Sequence, residues 1–124
     1  MSRVKRVLCV DDNQRFRDVI GRLLHFADVR PAANIAGAMA LAAVTKFDLF
    51  ILDISLPDGM GTDLLSRLRK IHPETPAILI TTSFDISTEE AREVGAIDVI
   101  QKASGTFVDD LLKLSGNVLE VEFS

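Results

Sequence analysis

Val7-Leu8-Cys9-Val10-Asp11-Asp12 is an apolar run that ends on two adjacent carboxylates, and Leu49-Phe50-Ile51-Leu52-Asp53 is a second run that ends on one. An apolar run this short, bounded by polar turn formers, reads as a strand buried on both faces, as in a parallel sheet covered by helices. All three acids then fall at C-terminal strand ends, the edge where open α/β sheets bind their ligands. Carboxylates converging on one edge repel each other, and a hard divalent cation such as Mg2+ relieves that repulsion while keeping several of its waters. Taken singly, each Asp could simply start a turn.

Outward from these runs the chain alternates regularly. Val4 to Val10 reads as a strand, after which Phe16, Val19, Ile20, Leu23 and Leu24 recur at the spacing of a helix that covers a sheet. A weaker strand follows near Val29 to Ala33, then an alanine-rich helix from Ala36 to Val44, then the strand Phe47 to Leu52. Leu64, Leu65, Leu68 and Ile71 form the next helical stripe, closed by Pro73 and Pro76, and Ala77 to Thr81 is a strand. Ser87-Thr88-Glu89-Glu90 is a capping box opening a short helix that Gly95 stops; Ile97 to Ile100 is a strand, and Val108, Leu111, Leu112 and Ser115 mark a final helix face. Strands alternating with helices imply right-handed crossovers and a doubly wound α/β sandwich.

Composition narrows the function classes. A chain of 124 residues with 48% hydrophobic content suits one domain with a true core. A net charge of −4 argues against broad binding to nucleic acid or anionic membranes, because phosphate affinity comes mainly from Lys and Arg. No stretch approaches a transmembrane span, and the N-terminal apolar run is too short for a signal peptide. The single cysteine, Cys9, lies inside a strand, where a buried thiol is expected, and the cytoplasm is the expected location. His25 and His72, near helix ends, are expected at the surface and not as catalytic bases.

Asp11-Asp12 after the first strand, Asp53 after the third, Thr81 after the fourth and Lys102 after the fifth, with Leu56-Pro57-Asp58-Gly59 following the third acid, resemble the receiver (response-regulator) domain of two-component signalling. The resemblance runs from residue 4 to about 115 in motif, spacing and order. It implies a flavodoxin-like fold, a five-stranded parallel sheet of order 2-1-3-4-5 flanked by five helices, over residues 1–116, with 117–124 as a C-terminal tail. It also implies that Asp53 accepts phosphate from a sensor histidine kinase or phosphotransfer protein. On that reading Asp53 is the nucleophile, and Asp12 binds Mg2+ directly, Asp11 through water and Ser55 through its backbone carbonyl. Lys102 pairs with Asp53 at rest and with a phosphoryl oxygen afterwards, and Thr81 turns its hydroxyl toward the phosphoryl group.

The chain departs from that pattern on one face. Val99 stands three residues before the lysine, where the family usually carries a switching Tyr or Phe, and Ala103 follows the lysine in place of Pro. The segment from Thr81 to Gly95 is one residue shorter than expected. A β-branched valine has one dominant rotamer and cannot swing between solvent and interior, so signal transfer is expected to fall on the segment from Thr82 to Val94.

Two other functions compete with the phosphoryl-accepting module: a receiver-like scaffold working without phosphorylation, and a Mg2+-dependent phosphohydrolase built on a nucleophilic Asp. The second needs an acid two residues after the nucleophile, where this chain has Ser55. The N-terminus reads as natural, and the tail, with Leu119, Val121 and Phe123 alternating with Glu120 and Glu122, reads as loose, as an edge strand or as a cut linker to a missing output domain. A homodimer is among the partner expectations, and the output partner is open.

Thr82, after the switching threonine, stands where the family commonly has Ala or Gly, so its bulk should narrow access to the phosphoryl position. Thr82→Ala is expected to accelerate phosphorylation by acetyl phosphate with little change in stability; an unchanged or slower rate counts against the steric argument.

Overall fold

The two apolar runs lie side by side as parallel strands, Val7 opposite Leu49 and Val10 opposite Leu52. The computed structural model describes residues 3–82 and 86–120. In chain order the elements are β1 (Arg6–Val10), α1 (Gln14–Leu23), β2 (Asp28–Ala32), α2 (Ile35–Val44), β3 (Leu49–Asp53), a short hairpin of β4 (Ser55–Leu56) and β5 (Gly59–Met60), α3 (Gly61–Ile71), β6 (Ala77–Thr81), α4 (Thr88–Glu93), β7 (Asp98–Gln101) and α5 (Phe107–Leu119). The main sheet has five strands in the order β2-β1-β3-β6-β7, all parallel. Leaving the hairpin aside, this is the order 2-1-3-4-5.

Alternation along the strands sorts the core into two layers. Leu8, Val10, Phe50, Leu52 and Leu79 face a cluster with Ala38 and Ala42 of α2, Leu64, Leu65 and Leu68 of α3 and Ala91 of α4. Val7, Cys9, Leu49, Ile51, Ile78 and Ile80 face the other way, against Ile20 and Leu24 of the α1 region and Phe107, Leu111 and Leu119 of α5. β1, β3 and β6 are therefore covered on both sides, which is why they read as continuous apolar runs and not as alternating ones. β2 reads weakly because it is an edge strand; Pro31 has no N–H to give to a ladder and is tolerated there. Since the chain leaves β1 for α1 on one face and leaves β3 for α3 on the other, a crevice opens at the C-terminal ends of β1 and β3.

The caps are local where the sequence is polar. Asn13 and Asn34 accept amide hydrogens from Phe16 and Gly37 at the starts of α1 and α2, and Ser87 with Glu90 forms the reciprocal capping box of α4. Gly95, at φ +98°, ends the α4 turn in a conformation that a side chain would strain.

Several expectations change. Val19 of α1 and Ile71 of α3, read as members of their helical stripes, are 41% and 46% exposed. Val108 is 43% exposed, and Phe107 takes its place in the core, because the helix begins at Phe107 and its buried positions run Phe107, Leu111, Ser115 and Leu119. The helix does not end at residue 116: it continues to Leu119, whose side chain is buried against the α1 and α5 layer, so helical packing overrides the period-two pattern. Residues 121–124, the rest of the expected tail, lie outside the described residues. His72 is half-buried at the end of α3, with its Nε2 at 2.8 Å from the Ala42 carbonyl of α2 and its ring against Phe50; only His25 is exposed. Cys9 is buried as expected, and burial pushes its thiol up to about 12.

Leu119→Ala should cost about 2–5 kcal/mol, the range for emptying a buried leucine site. Urea unfolding checks this, and a shift of under about 0.5 kcal/mol, usual for a surface substitution, would return the residue to a loose tail.

Candidate functional site

Asp11 follows the last residue of β1, and Asp53 is the last residue of β3, so adjacent parallel strands deliver the two carboxylates to one crevice. The Ile54 carbonyl, just beyond, accepts the Gly61 amide at 2.7 Å. That close return requires glycine, since a Cβ at residue 61 would sit 2.1 Å from the Asp53 carbonyl oxygen. On the far side of β3, Thr81 ends β6 and is buried. Its carbonyl accepts the Lys102 amide at 2.8 Å, which brings the turn after β7 over the crevice.

Each buried carboxylate divides its oxygens the same way. Asp11 Oδ1 accepts the Asn13 amide at 2.9 Å, and Asp53 Oδ1 accepts the Ser55 amide at 3.1 Å. The other oxygens converge on Lys102, whose Nζ lies 2.6 Å from Asp11 Oδ2 and 2.9 Å from Asp53 Oδ2. The Asp53 contact is an aligned hydrogen bond. The Asp11 contact is an ion pair without that alignment, so Asp11 Oδ2 is buried with no hydrogen-bond partner. Burial pushes the Asp53 carboxyl above its ordinary range, and the Lys102 ammonium and Ser55 amide pull it back only in part. Desolvation works against the Lys102 charge, but contact with both carboxylates outweighs it and raises the lysine pKa.

Asp12, exposed beside Asp11, completes an acidic group in which one carboxylate oxygen from each of Asp11, Asp12 and Asp53 lies within 4.8 Å of the others. An all-oxygen set with a buried, unbonded Asp11 oxygen fits a hard divalent cation better than a transition metal, which favours nitrogen or sulfur. Ser55, exposed at the start of the hairpin, adjoins this group. Thr82 is exposed, and with Ser55, Met60, Thr62, Thr81 and Ile86 it lines a cleft of 450 Å³. Val99 is half-buried and packs against the layer that includes Ala91 and Ala96.

Asp11, Asp12, Asp53 and Lys102 are thus brought together, with Ser55 and Thr81 on the flanking strand ends. Sequence reasoning paired Lys102 with Asp53 alone and missed Asp11. It also missed Phe16, whose ring centroid is 4.4 Å from Lys102 Nζ, and Arg17, which donates to the Asp11 carbonyl at 2.7 Å. Phe16 was legible only as a member of a helical stripe. Asp58 was legible as part of a turn, yet its carboxylate accepts the Ile35 and Ala36 amides at 2.8 and 3.1 Å and ties the hairpin to the start of α2.

Residues 7–113 match the model of the response regulator receiver domain. The response regulator protein PilR of Pseudomonas aeruginosa is 38% identical over 107 residues, 82% of this chain and 23% of PilR, and a response regulator receiver protein of Anaeromyxobacter is 35% identical over 80% of this chain and 43% of its own length. The chain therefore spans less than half the length of these curated relatives. Among solved structures, a CheY-like receiver domain protein of Methanospirillum hungatei superposes with a TM-score of 0.82 at 31% identity, covering 95% of this chain and 96% of that one. A response regulator of Burkholderia pseudomallei, solved with a phosphorylated aspartic acid and a calcium ion, does so with a TM-score of 0.77 at 27% identity over 94% and 69% of the two chains.

The raised Asp53 pKa carries a pH signature. The folded state holds the Asp53 proton more tightly than the unfolded chain, so this stabilising contribution is complete below the ordinary carboxyl value of 3.8 and is lost as pH rises through the higher folded value. In metal-free buffer, the stability of Asp53→Asn relative to wild type should therefore increase over that rise and level off toward neutrality. Urea unfolding across a pH series checks it, and a pH-independent difference would show that burial does not raise this carboxyl.

Proposed function

Because this chain belongs to the response regulator receiver domain family of two-component signalling, we propose that Asp53 is its phosphoacceptor and that phosphorylation changes what the domain binds. The observation that carries this reading is the Lys102 ammonium seated between Asp11 and Asp53, with Asp12 alongside. A carboxylate oxygen of Asp53 forms a bond to phosphorus while the bond from phosphorus to the donor's imidazole nitrogen breaks, the electron pair leaving with the imidazole. The Ser55 amide holds one Asp53 oxygen and Lys102 the other, which orients the nucleophile before the donor arrives. Once Asp53 is an acyl phosphate, Lys102 pairs with a phosphoryl oxygen and Thr81 turns its hydroxyl to a second.

Asp12 and Asp53 would hold Mg2+ directly, with Asp11 acting through water and Ser55 through its backbone carbonyl. The bound ion supplies positive charge against the phosphoryl oxygens. The phosphorylated aspartic acid in the Burkholderia relative supports the same chemistry here. A phosphohydrolase of the Asp-nucleophile type is disfavoured by Ser55 in the general-acid position.

The donor on this reading is a sensor histidine kinase or phosphotransfer protein, in the cytoplasm, and the domain is a signalling module and not an enzyme with a separate substrate. Output runs through the β6-to-α4 segment. Val99 is too short to act as an aromatic switch, whereas α4 is a helix of 6 residues tied to β7 by a hydrogen bond from Thr88 to Asp98 at 3.0 Å. Residues 83–85 of that segment lie outside the described residues.

Acetyl phosphate with Mg2+ should add one phosphoryl group, read by intact mass, and Asp53→Asn or a chelator should abolish the addition. Asp12→Ala should weaken Mg2+ binding more than Asp11→Ala, since losing a water-mediated contact is milder than losing a ligand. Undiminished labelling of Asp53→Asn would refute the acceptor, and equal metal affinities would refute the ordering.

A further inference from the structure

Three groups of two chemical kinds surround the Lys102 ammonium: Asp11 Oδ2 at 2.6 Å, Asp53 Oδ2 at 2.9 Å and the face of Phe16, whose ring centroid is 4.4 Å away. A hydrogen bond to Asp53, an ion pair with Asp11 and the π face together enclose the ammonium. The side chain is left 12% exposed. The ring is held on both sides. Behind it, Phe107, 6% exposed at the start of α5, makes an edge contact with ring centroids 5.2 Å apart and planes at 60°. Below it, the turn that fixes Asp11 also fixes Phe16, because Asn13 donates its amide to Asp11 and accepts the Phe16 amide on its side chain at 3.3 Å. One short segment thus sets both the carboxylate and the ring against the same lysine.

We propose that Phe16 is a positioning residue for phosphoryl transfer, its ring holding the Lys102 ammonium over the acceptor and keeping water from it. This rests on Asp53 being the phosphoacceptor. When Asp53 becomes an acyl phosphate, its carboxylate charge is gone and the lysine must turn to a phosphoryl oxygen. The carboxylate of Asp11 and the ring of Phe16 are the contacts that remain, and they keep the ammonium in place through the transfer. An aliphatic side chain at residue 16 would fill similar space but offer no electron-rich face.

The test compares Phe16→Leu and Phe16→Tyr with wild type in two measurements. Exchange of the Lys102 ammonium protons with water, read by nitrogen-15 NMR on the resting protein without phosphodonor, should speed up at least about tenfold in Phe16→Leu and stay near wild type in Phe16→Tyr. Phosphorylation by acetyl phosphate at saturating Mg2+ should slow about threefold to tenfold in Phe16→Leu and recover in Phe16→Tyr. A leucine variant phosphorylated at the wild-type rate overturns the proposal, as does a tyrosine variant no better than leucine. Should Phe16→Leu fail to fold, Phe16→Met takes its place with the same expectations. If wild type itself takes no phosphoryl group, the acceptor assignment fails, and the exchange measurement alone decides whether the ring shields the lysine.

Discussion

The meeting of one ammonium with two buried carboxylates is the constraint around which this fold is arranged. Lys102 comes from the turn after β7, Asp11 from the end of β1 and Asp53 from the end of β3, and none would lie near the others without the parallel sheet that aligns those ends. Such a group is a weak source of stability, because removing the charges from water costs as much as their attraction returns. On the function proposed above, its value lies in reaction: Asp53 as acceptor, Lys102 as the cation for the incoming phosphate and the acids proposed to take a metal are oriented before a donor binds.

Support for that group comes from both faces of the sheet. On the α1 and α5 side, Phe16 lies over the lysine with Phe107 edge-on behind it, and Arg17 holds the Asp11 carbonyl. On the α2 and α3 side, Asp58 reaches from the hairpin to the exposed amides at the start of α2, and amide donation holds its carboxyl below the usual range. The loop bearing Ser55 is therefore fixed at both ends, by Gly61 returning to Ile54 and by Asp58 on α2. Arg69 performs a similar task further out, donating to the Gly95 carbonyl at 2.8 Å and to the Thr75 carbonyl, which ties α3 to the turn after α4.

The face formed by α4, β7 and α5 carries the departures from the expected pattern. With Val99 half-buried and Ala103 after the lysine, neither an aromatic switch nor an X-Pro bond is present there; no peptide bond among the described residues is cis. The site reaches this face through the Phe16–Phe107 ring contact at the start of α5 and through polar contacts, the Lys102 amide on the Thr81 carbonyl and Thr88 on Asp98. Polar links of this kind are easily exchanged, and α4, with Ala91 as its one buried residue, has little apolar surface to resist a shift.

The sequence by itself determined the strand and helix alternation, since a strand covered on both faces must be apolar along its length and a covering helix must carry a stripe; β1, β3 and β6 and most of the faces of α1 and α3 were legible for that reason, with Val19 and Ile71 falling outside them. It also determined Asp11, Asp12, Asp53, Thr81 and Lys102 as site candidates, because each follows or ends such a run and their order matches a known pattern. Tertiary structure alone decided that Lys102 pairs with Asp11 as well as Asp53, that Phe16 covers it, and that Asp58 caps α2 across 23 residues of chain. It also decided that α5 carries Leu119 into the core although Leu119, Val121 and Phe123 alternate as a strand would. The division has one physical cause. Periodicity records which face of an element is buried, a property each element carries in its own residues, whereas a contact between elements depends on the register at which they pack, and no single segment encodes that.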